Sequence, residues 1–463
     1  MMRQDTIVAL ATPPGSGAIA VVRLSGPDAI ALAGSHFKAV SGKPLADCPG
    51  HTIHLGHLYA KTRMLDEVLV SVFRAPRSYT GEDVVEVSCH GSTFIQQEVI
   101  RLFLDAGCRM AEPGEFTLRA FLSGKMDLSQ AEAVADLIAS ENQASHRIAL
   151  QQMRGGYSSQ IKGLRDQLIH FASMITLELD FSGEDVEFAD RAAFMDLLDR
   201  LSLLLKRLID SFAAGNAIKT GIPVAIAGQP NVGKSTLLNT LLQEERAIVS
   251  DIAGTTRDAI EDEIVLGGIG FRFIDTAGIR ETSDAIEHIG IRKTYEKLGQ
   301  ARIVIYMKDG KELKANTLKS ARAEVETLKE TYPEKPIILL INKCDLLGPD
   351  ERKQILSVLP EAQFLSAREG EGVRELQEKL LGLIHFGNLG NDDPVVSNSR
   401  HYQALAGALE AVEHVKAGME AGIPSDLLSV DISTALHHLG AITGEITTDD
   451  LLGNIFANFC IGK

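Results

Sequence analysis

The run Gly228-Gln229-Pro230-Asn231-Val232-Gly233-Lys234-Ser235 constrains this chain more than any other stretch. It follows the apolar segment Val224-Ala225-Ile226-Ala227 and leads into Thr236-Leu237-Leu238-Asn239, so the expected local structure is strand, loop, helix. In that setting G-x-x-x-x-G-K-[ST] is a phosphate loop. The two glycines let the backbone curl until its N–H groups face phosphate oxygens, at the positive pole of the helix that follows. Lys234 brings a point charge to the β- and γ-phosphates, and the Ser235 hydroxyl is placed to ligate Mg²⁺. A nucleoside triphosphate is the expected ligand.

At 463 residues the chain is too long for one ordinary core, and several domains are expected. Hydrophobic content of 45% and charged content of 23% describe a globular protein. No apolar run approaches the length of a bilayer span, and Met1-Met2-Arg3-Gln4-Asp5 opens no signal-peptide pattern. Cys48, Cys89, Cys108, Cys344 and Cys460 are scattered, odd in number and never paired as C-x-x-C, which argues against a disulfide framework or structural zinc. A net charge of −16 argues against broad non-specific binding to nucleic acid but leaves room for a local basic groove. The expectation is a cytoplasmic protein that engages no membrane.

Residues 1–122 read as an α/β unit. Strands are expected near Thr6–Ala11, Ala18–Leu24, His51–Tyr59, Glu67–Phe73 and Val84–His90, with helices over Asp28–Phe37 and Ser92–Ala106. His51, His54 and His57 are no metal cluster on such a strand. His54 faces away, and the other two stand about 20 Å apart at roughly 3.3 Å per residue. Residues 123–218 turn helical and Gly-poor. Leu197, Leu198, Leu201, Leu204, Leu205, Leu208 and Phe212 form an apolar stripe at helical spacing, which reads as core. Arg147, Arg154 and Arg165 are spaced so that one helix would present them on one face. That face is a solvated surface or a tRNA contact. Residues 219–384 form the nucleotide domain, with β-rich runs at Phe271–Asp275, Ile303–Met307 and Ile337–Asn342 in a parallel sheet with flanking helices. Helical pattern returns over 385–463, so the nucleotide domain reads as an insertion into a helical one.

Four further elements follow the phosphate loop in order. Gly254-Thr255-Thr256-Arg257-Asp258 lies in a polar loop where a threonine hydroxyl can complete the Mg²⁺ shell. Asp275-Thr276-Ala277-Gly278 ends a strand, with an aspartate for Mg²⁺ through water and a Gly278 N–H for the γ-phosphate. Asn342-Lys343-Cys344-Asp345 ends another strand, and Ser366-Ala367 lies beyond it. Asp345 decides the base: its carboxylate accepts from guanine N1–H and the exocyclic amine together, whereas adenine would leave the charge unpaired. The ligand is therefore GTP. Glu287 is open to two readings at this point, as the cap of a helix opened by Asp284-x-x-Glu287 or as a catalytic carboxylate.

This order of elements resembles the translation-factor-like GTPases. Ile279 stands where Ras-like members place a water-orienting glutamine, and no arginine is an obvious internal finger. Asn231, with carbonyls from Ser250-Asp251-Ile252-Ala253-Gly254-Thr255, instead offers oxygens to a monovalent cation, and this resembles the potassium-activated GTPases that work as dimers. Beyond the nucleotide domain, the matching segments are Asp5-Thr6-Ile7-Val8-Ala9, Tyr79-Thr80-Gly81-Glu82-Asp83-Val84, Pro113-Gly114-Glu115-Phe116-Thr117, Lys125-Met126-Asp127-Leu128, Asp449-Asp450-Leu451-Leu452-Gly453 and Phe459-Cys460-Ile461-Gly462-Lys463. They span all regions of the chain. On them the chain resembles the MnmE (TrmE) family of tRNA-modification GTPases.

The resemblance implies a multidomain α/β plus α architecture: an N-terminal folate-binding-like domain that dimerises, then a helical domain carrying the inserted GTPase. It implies that the homodimer joins an FAD-dependent partner, MnmG (GidA), in a heterotetramer. Together they install an aminomethyl or carboxymethylaminomethyl group at C5 of the wobble uridine of certain tRNAs, with 5-formyl- or methylene-tetrahydrofolate supplying one carbon. Residue by residue, it assigns folate to Arg23, Glu82, Lys125 and Lys463. GTP falls to Asn231, Val232, Gly233, Lys234, Ser235, Thr236, Ser250, Asp251, Ile252, Ala253, Gly254, Thr255, Thr256, Asp275, Thr276, Ala277, Gly278, Asn342, Lys343, Asp345, Ser366 and Ala367. It implies Mg²⁺ on Ser235 and Thr256 and K⁺ on Asn231, Ser250, Ile252 and Thr255, Ser250 replacing a threonine of relatives. Catalysis falls to Lys234, Thr256 and Glu287, the last orienting the attacking water. The rival expectation is a ribosome-assembly GTPase switch without one-carbon chemistry. It is weakened because no KH-like G-x-x-G module follows the GTPase domain.

Overall fold

The computed structural model describes residues 5–180, 190–246, 262–275, 298–383, 394–457 and 459–462. Two compact units divide the chain: Met1–Ala139 with Ala149–Lys206 and Gln403–Lys463, and Ser140–Ile148 with Arg207–Tyr402.

The first unit is built on a seven-stranded sheet. Its chain order is β1 (Ile7–Leu10), β2 (Ile19–Ser25), α1 (Ala29–His36), β3 (Phe37–Ala39), β4 (Thr52–Ala60), β5 (Arg63–Phe73), β6 (Val84–His90), α2 (Thr93–Asp105), β7 (Arg109–Met110), α3 (Glu115–Leu122) and α4 (Leu128–Ile138). Spatial order is β3-β4-β5-β6-β2-β1-β7, antiparallel throughout except for the β1–β7 pair. Val22, Val70 and Val87 alternate inward and bury against Val99 and Phe103 of α2. Ser92 caps α2, its hydroxyl accepting from Ile95 N–H. His51 precedes β4 in a left-handed conformation (φ 64°), so only His54 and His57 ride that strand.

The arginine trio is corrected by the structure. Arg147 lies on α5 (Gln143–Met153) and Arg165 on α6 (Ser158–Asp180), with Arg154 in the turn between. Gly155 and Gly156, both at positive φ, break the helix there, so no single helix face carries all three. Arg165 pairs with Glu445. The apolar stripe falls on α7 (Arg191–Thr220), where Leu197, Leu198, Leu201, Leu205 and Leu208 are fully buried.

The second unit carries a six-stranded sheet made of β8 (Ile222–Gly228), β9 (Asp262–Leu266), β10 (Ile269–Asp275), β11 (Ile303–Asp309), β12 (Ile337–Asn342) and β13 (Gln363–Phe364). The helices are α8 (Lys234–Arg246), α9 (Ala315–Thr331), α10 (Pro349–Val358) and α11 (Val373–Leu383). The order β13-β12-β11-β8-β10-β9 is parallel apart from β9, which closes a hairpin on β10. The expected all-parallel sheet thus gains an antiparallel edge. Gly267 and Gly268, both at positive φ, make the two-residue turn that matches strand twist. Three helices follow: α12 (Ser399–Glu420), α13 (Ser425–Thr443) and α14 (Asp449–Phe456). Among the described residues no helix is long and apolar enough to cross a membrane.

In the first unit, α12 is tied to α7 by Ser202 Oγ donating to Glu413 at 2.6 Å and by Lys416 to Asp199 at 2.5 Å. Leu452, Phe456 and Phe459 pack on Leu128 and Ala131 of α4. An ionic clamp joins the start of β1 to β7 and α3. Arg109 reaches Asp5 at 2.6 Å and Glu115 at 2.5 Å, while Arg119 reaches the same two carboxylates at 2.6 and 3.0 Å. The Arg109 hydrogen bond, opposed by burial, holds the Asp5 carboxyl below its ordinary range. Burial pushes Glu115 upward, but hydrogen bonds from Arg109, Glu112 N–H and Arg119 outweigh it, and its carboxyl also falls below the usual value.

Two predictions follow from this packing. Leu201→Ala should destabilise the first unit by about 2–5 kcal/mol, read as a lowered urea midpoint, because a fully buried side chain leaves a cavity. Lowered folded-state values for Asp5 and Glu115 mean that their contribution is complete above about pH 4.5. It is lost as acid protonates both groups. The thermal midpoint should drop across that window, and Asp5→Asn should flatten the drop. A wild-type curve as flat as the variant's would refute the clamp.

Candidate functional site

The phosphate loop leaves the buried strand β8 at Gly228 and enters α8 at Lys234. Gly228, Asn231 and Gly233 sit at φ 152°, 61° and 101°, so the backbone curls as the motif requires. Space is as restrictive as torsion: a Cβ on Gly233 would stand 2.2 Å from Asn342 Nδ2, and one on Gly228 would stand 2.4 Å from the Met307 carbonyl oxygen. Lys234 Nζ donates to the Gly228 and Gln229 carbonyls at 2.7 and 2.9 Å, holding the ammonium over the loop. Val232 is buried in the sheet core, whereas Asn231, Ser235 and Thr236 are exposed. An exposed hydroxyl in the first turn of α8 fits Mg²⁺, and an exposed amide at Asn231 fits a monovalent cation.

The segments Asn342-Lys343-Cys344-Asp345 and Ser366-Ala367 meet this loop at the carboxyl ends of the parallel strands, where open α/β sheets bind ligands. Asn342 is buried at the end of β12. Its Nδ2 donates to the Val232 carbonyl at 2.7 Å, and its Oδ1 accepts from Ala367 N–H at 2.9 Å. Thr240 of α8 holds the same short loop, donating to the Ala367 carbonyl at 2.6 Å. Ser366 is fully buried, its backbone N–H bonded to the Glu371 carbonyl. Lys343 is left-handed (φ 62°), and its ammonium meets the buried Asp309 at 2.5 Å. Asp345 lies exposed in the 3-10 turn Cys344–Leu346. Asp275 ends β10 in register with Ile226 of β8. Ser250, Asp251, Ile252, Ala253, Gly254, Thr255, Thr256, Thr276, Ala277, Gly278, Glu287 and Lys463 lie outside the described residues.

A second polar centre sits in the first unit. Arg23 on β2 pairs with Glu86 at 2.7 Å and donates to the Gly462 carbonyl at 3.1 Å. Its guanidinium carbon lies 5.7 Å from the ring centres of both Tyr79 and Phe116. Burial raises the Tyr79 phenol above its ordinary value, against a hydrogen bond with Thr117. Glu82, in the loop before β6, accepts from Ser25 at 2.6 Å and from Arg119 at 3.1 and 3.2 Å. Lys125 is exposed, its Cε 3.4 Å from where a Cβ on Gly81 would stand. Gly462 packs so closely on β1 that an added Cβ would come within 2.3 Å of the Leu10 carbonyl. The chain's last described residues therefore lie beside Arg23. Cys460 is exposed, and its carbonyl accepts from Gly114 N–H at 3.4 Å.

Sequence reasoning missed Ser25, Thr80 and Arg119 as parts of this centre. The Arg119 signal was present as Glu115-x-x-x-Arg119, an ion-pair spacing on one helix face. Cationic, aromatic and carboxylate groups around one place fit a flat heteroaromatic ligand bearing N–H donors and an acidic tail.

Two family models match: "GTP-binding protein TrmE N-terminus" over residues 6–125 and "MnmE helical domain" over residues 128–460. The tRNA modification GTPase MnmE of Flavobacterium johnsoniae is 59% identical over 467 residues, covering 100% of both chains. That of Christiangramia forsetii is 60% identical over 474 residues, again covering 100% of both. Among solved structures, Aquifex aeolicus Era aligns with 41% of this chain and 66% of its own at 30% identity, with a TM-score of 0.27 that carries no further weight. Full-length identity at this level, with both family models in place, makes the chain a member of the MnmE family of tRNA modification GTPases.

Proposed function

We propose that this chain is a potassium-activated GTPase that works as a homodimer with an FAD-dependent partner of the MnmG (GidA) kind. It takes part in adding an aminomethyl or carboxymethylaminomethyl group at C5 of a tRNA wobble uridine, with 5-formyl- or methylene-tetrahydrofolate as one-carbon source. The observation that carries this reading is the approach of Gly462 to Arg23, beside Tyr79 and Phe116, on the strand whose Ser25 holds Glu82. A GTPase that acts only as a switch has no need of such a centre.

In the nucleotide site, loop N–H groups and Lys234 hold the phosphates, Ser235 with Thr256 would hold Mg²⁺, and Asp345 reads guanine. When bound, Mg²⁺ and K⁺ would supply positive charge to offset the negative charge that builds on the phosphates in the transition state. Asn231, Ser250, Ile252 and Thr255 would hold the monovalent ion in place of an arginine finger. Glu287 orients the attacking water that Ile279 cannot hold. In the N-terminal centre, Glu82 grips the donor edge of the pterin, while Arg23, Lys125 and Lys463 meet its acidic tail.

Asp345→Asn should lower GTP affinity on the order of 10²–10⁴-fold and favour xanthosine triphosphate, because an amide offers a donor where the carboxylate accepts. Unchanged selectivity would remove Asp345 from base recognition. Turnover of GTP in KCl should exceed that in NaCl at equal ionic strength by about tenfold or more, as expected of a cation replacing an arginine finger. Equal rates would overturn the cation assignment. Saturable binding of 5-formyl-tetrahydrofolate to the full chain tests the second centre, and its absence would favour a switch without one-carbon chemistry.

A further inference from the structure

The Glu82 carboxylate is not simply displayed; it is aimed. Ser25 Oγ donates to Oε2 at 2.6 Å, and Arg119 Nη1 donates to Oε1 and Oε2 at 3.1 and 3.2 Å. Ser25 is in turn hydrogen-bonded to Thr80 Oγ1 at 2.7 Å, and both hydroxyl residues are fully buried. Arg119 cannot swing with an incoming ligand. Its Nη1 also donates to the Asp5 carbonyl at 2.8 Å, and its Nη2 to Asp5 Oδ1 at 2.6 Å and Glu115 Oε1 at 3.0 Å. One buried, planar fork is thus fixed from three directions.

Charge makes the arrangement functional as well as rigid. Asp5, Glu82 and Glu115 bring three negative charges to the hydrogen-bonded cluster and Arg109 and Arg119 bring two positive ones, so one negative charge is left over. A guanidinium serving Glu82 alone would offset its charge in full. Shared among three carboxylates, it fixes direction and leaves acceptor strength. The exposed carboxylates of the cluster are Asp5 and Glu82, whose side chains are 33% and 26% exposed against 10% for Glu115. Asp5 is held on each oxygen by a short guanidinium bond of 2.6 Å, whereas Arg119 meets Glu82 at the longer 3.1 and 3.2 Å, so Glu82 keeps more acceptor capacity for a ligand.

We propose that Arg119, supported by Ser25, is a positioning residue of the N-terminal centre. It directs the Glu82 carboxylate at the 2-amino and N3–H donors of a pterin, and so sets preference for a ligand that carries that donor pair. This inference rests on the folate reading above.

The test is titration calorimetry on the full chain with 5-formyl-tetrahydrofolate and with its analogue bearing a methyl group in place of the 2-amino group. Wild type should prefer the amino compound by at least about tenfold, since the analogue leaves an acceptor unpaired. Ser25→Ala, which removes one hydroxyl and little volume, should weaken the amino compound by about tenfold and the analogue hardly at all. Arg119→Gln should do the same by on the order of a hundredfold, and Arg119→Lys should restore only part, because an ammonium cannot fork. Should Arg119→Gln fail to fold, Ser25→Ala decides alone. Equal weakening of both ligands, leaving their ratio unchanged, would make the network merely structural and overturn the proposal. No binding of either compound to wild type would instead overturn the folate reading itself.

Discussion

A single buried amide organises the phosphate-loop unit of this protein. Asn342 spends its donor on the Val232 carbonyl and its acceptor on the Ala367 N–H, so the phosphate loop and the base-side loop hang from one side chain. Neither bond is replaceable by water, because Asn342 is almost wholly buried and Gly233 leaves no space beside it. Loss of the amide would strand a buried carbonyl and a buried N–H, each at about 1–3 kcal/mol. The glycine at 233 is thus needed twice, for its positive φ and for the approach of the amide. Lys343 and Asp345 inherit their positions from this anchor, since both follow it directly in the chain. Lys343 then has its own restraint in the buried Asp309.

The N-terminal unit solves a similar problem with charge instead of a neutral amide. Arg119 joins the start of the chain, the loop before β6 and helix α3, as Asn342 joins two loops of the nucleotide unit. An ionic hub costs desolvation that only multiple partners offset, and each guanidinium here has at least two. The depressed carboxyls of Asp5 and Glu115 are the signature of that compensation. An amide hub is indifferent to acid, whereas this one is not, so the two hubs differ in their response to pH.

Much of this was legible in sequence, and the exceptions have physical reasons. The phosphate loop declared itself because a glycine spacing, a lysine and a flanking apolar strand must coincide for phosphate to bind. Five strands of the N-terminal sheet and the buried stripe on α7 followed from periods of two and 3.6, whereas β3 and β7, of three and two residues, are too short to show a period. The hairpin partner β9 was missed although Gly267-Gly268 marks the turn, since a five-residue edge strand gives little periodicity. Arg147, Arg154 and Arg165 misled because spacing says nothing of the Gly-Gly break between them. Ser25, Thr80 and Arg119 were invisible for another reason. Each is an ordinary polar residue locally, and only the fold brings positions 25, 80, 82 and 119 to one carboxylate.

The approach of Gly462 to Arg23 joins positions 439 residues apart, which raises the question of how such a contact forms at all. A flexible loop of that length would carry a large closure entropy and a slow search. The chain between them is tied together at two helices. It leaves the first unit along α7 and returns along α12, and those two helices are bonded side by side by Ser202, Lys206 and Glu413. Once they pair, everything inserted between Lys206 and Gln403 drops out of the closure problem, because its two ends are already adjacent. The remaining search is short: α14 has only to lay Leu452, Phe456 and Phe459 on α4 for the tail to arrive beside β1 and β2. The second centre therefore depends on the α7–α12 pairing as much as on its own residues. A substitution at Glu413, far from Arg23 in sequence, is expected to weaken the tail's docking before it disturbs the sheet beneath it.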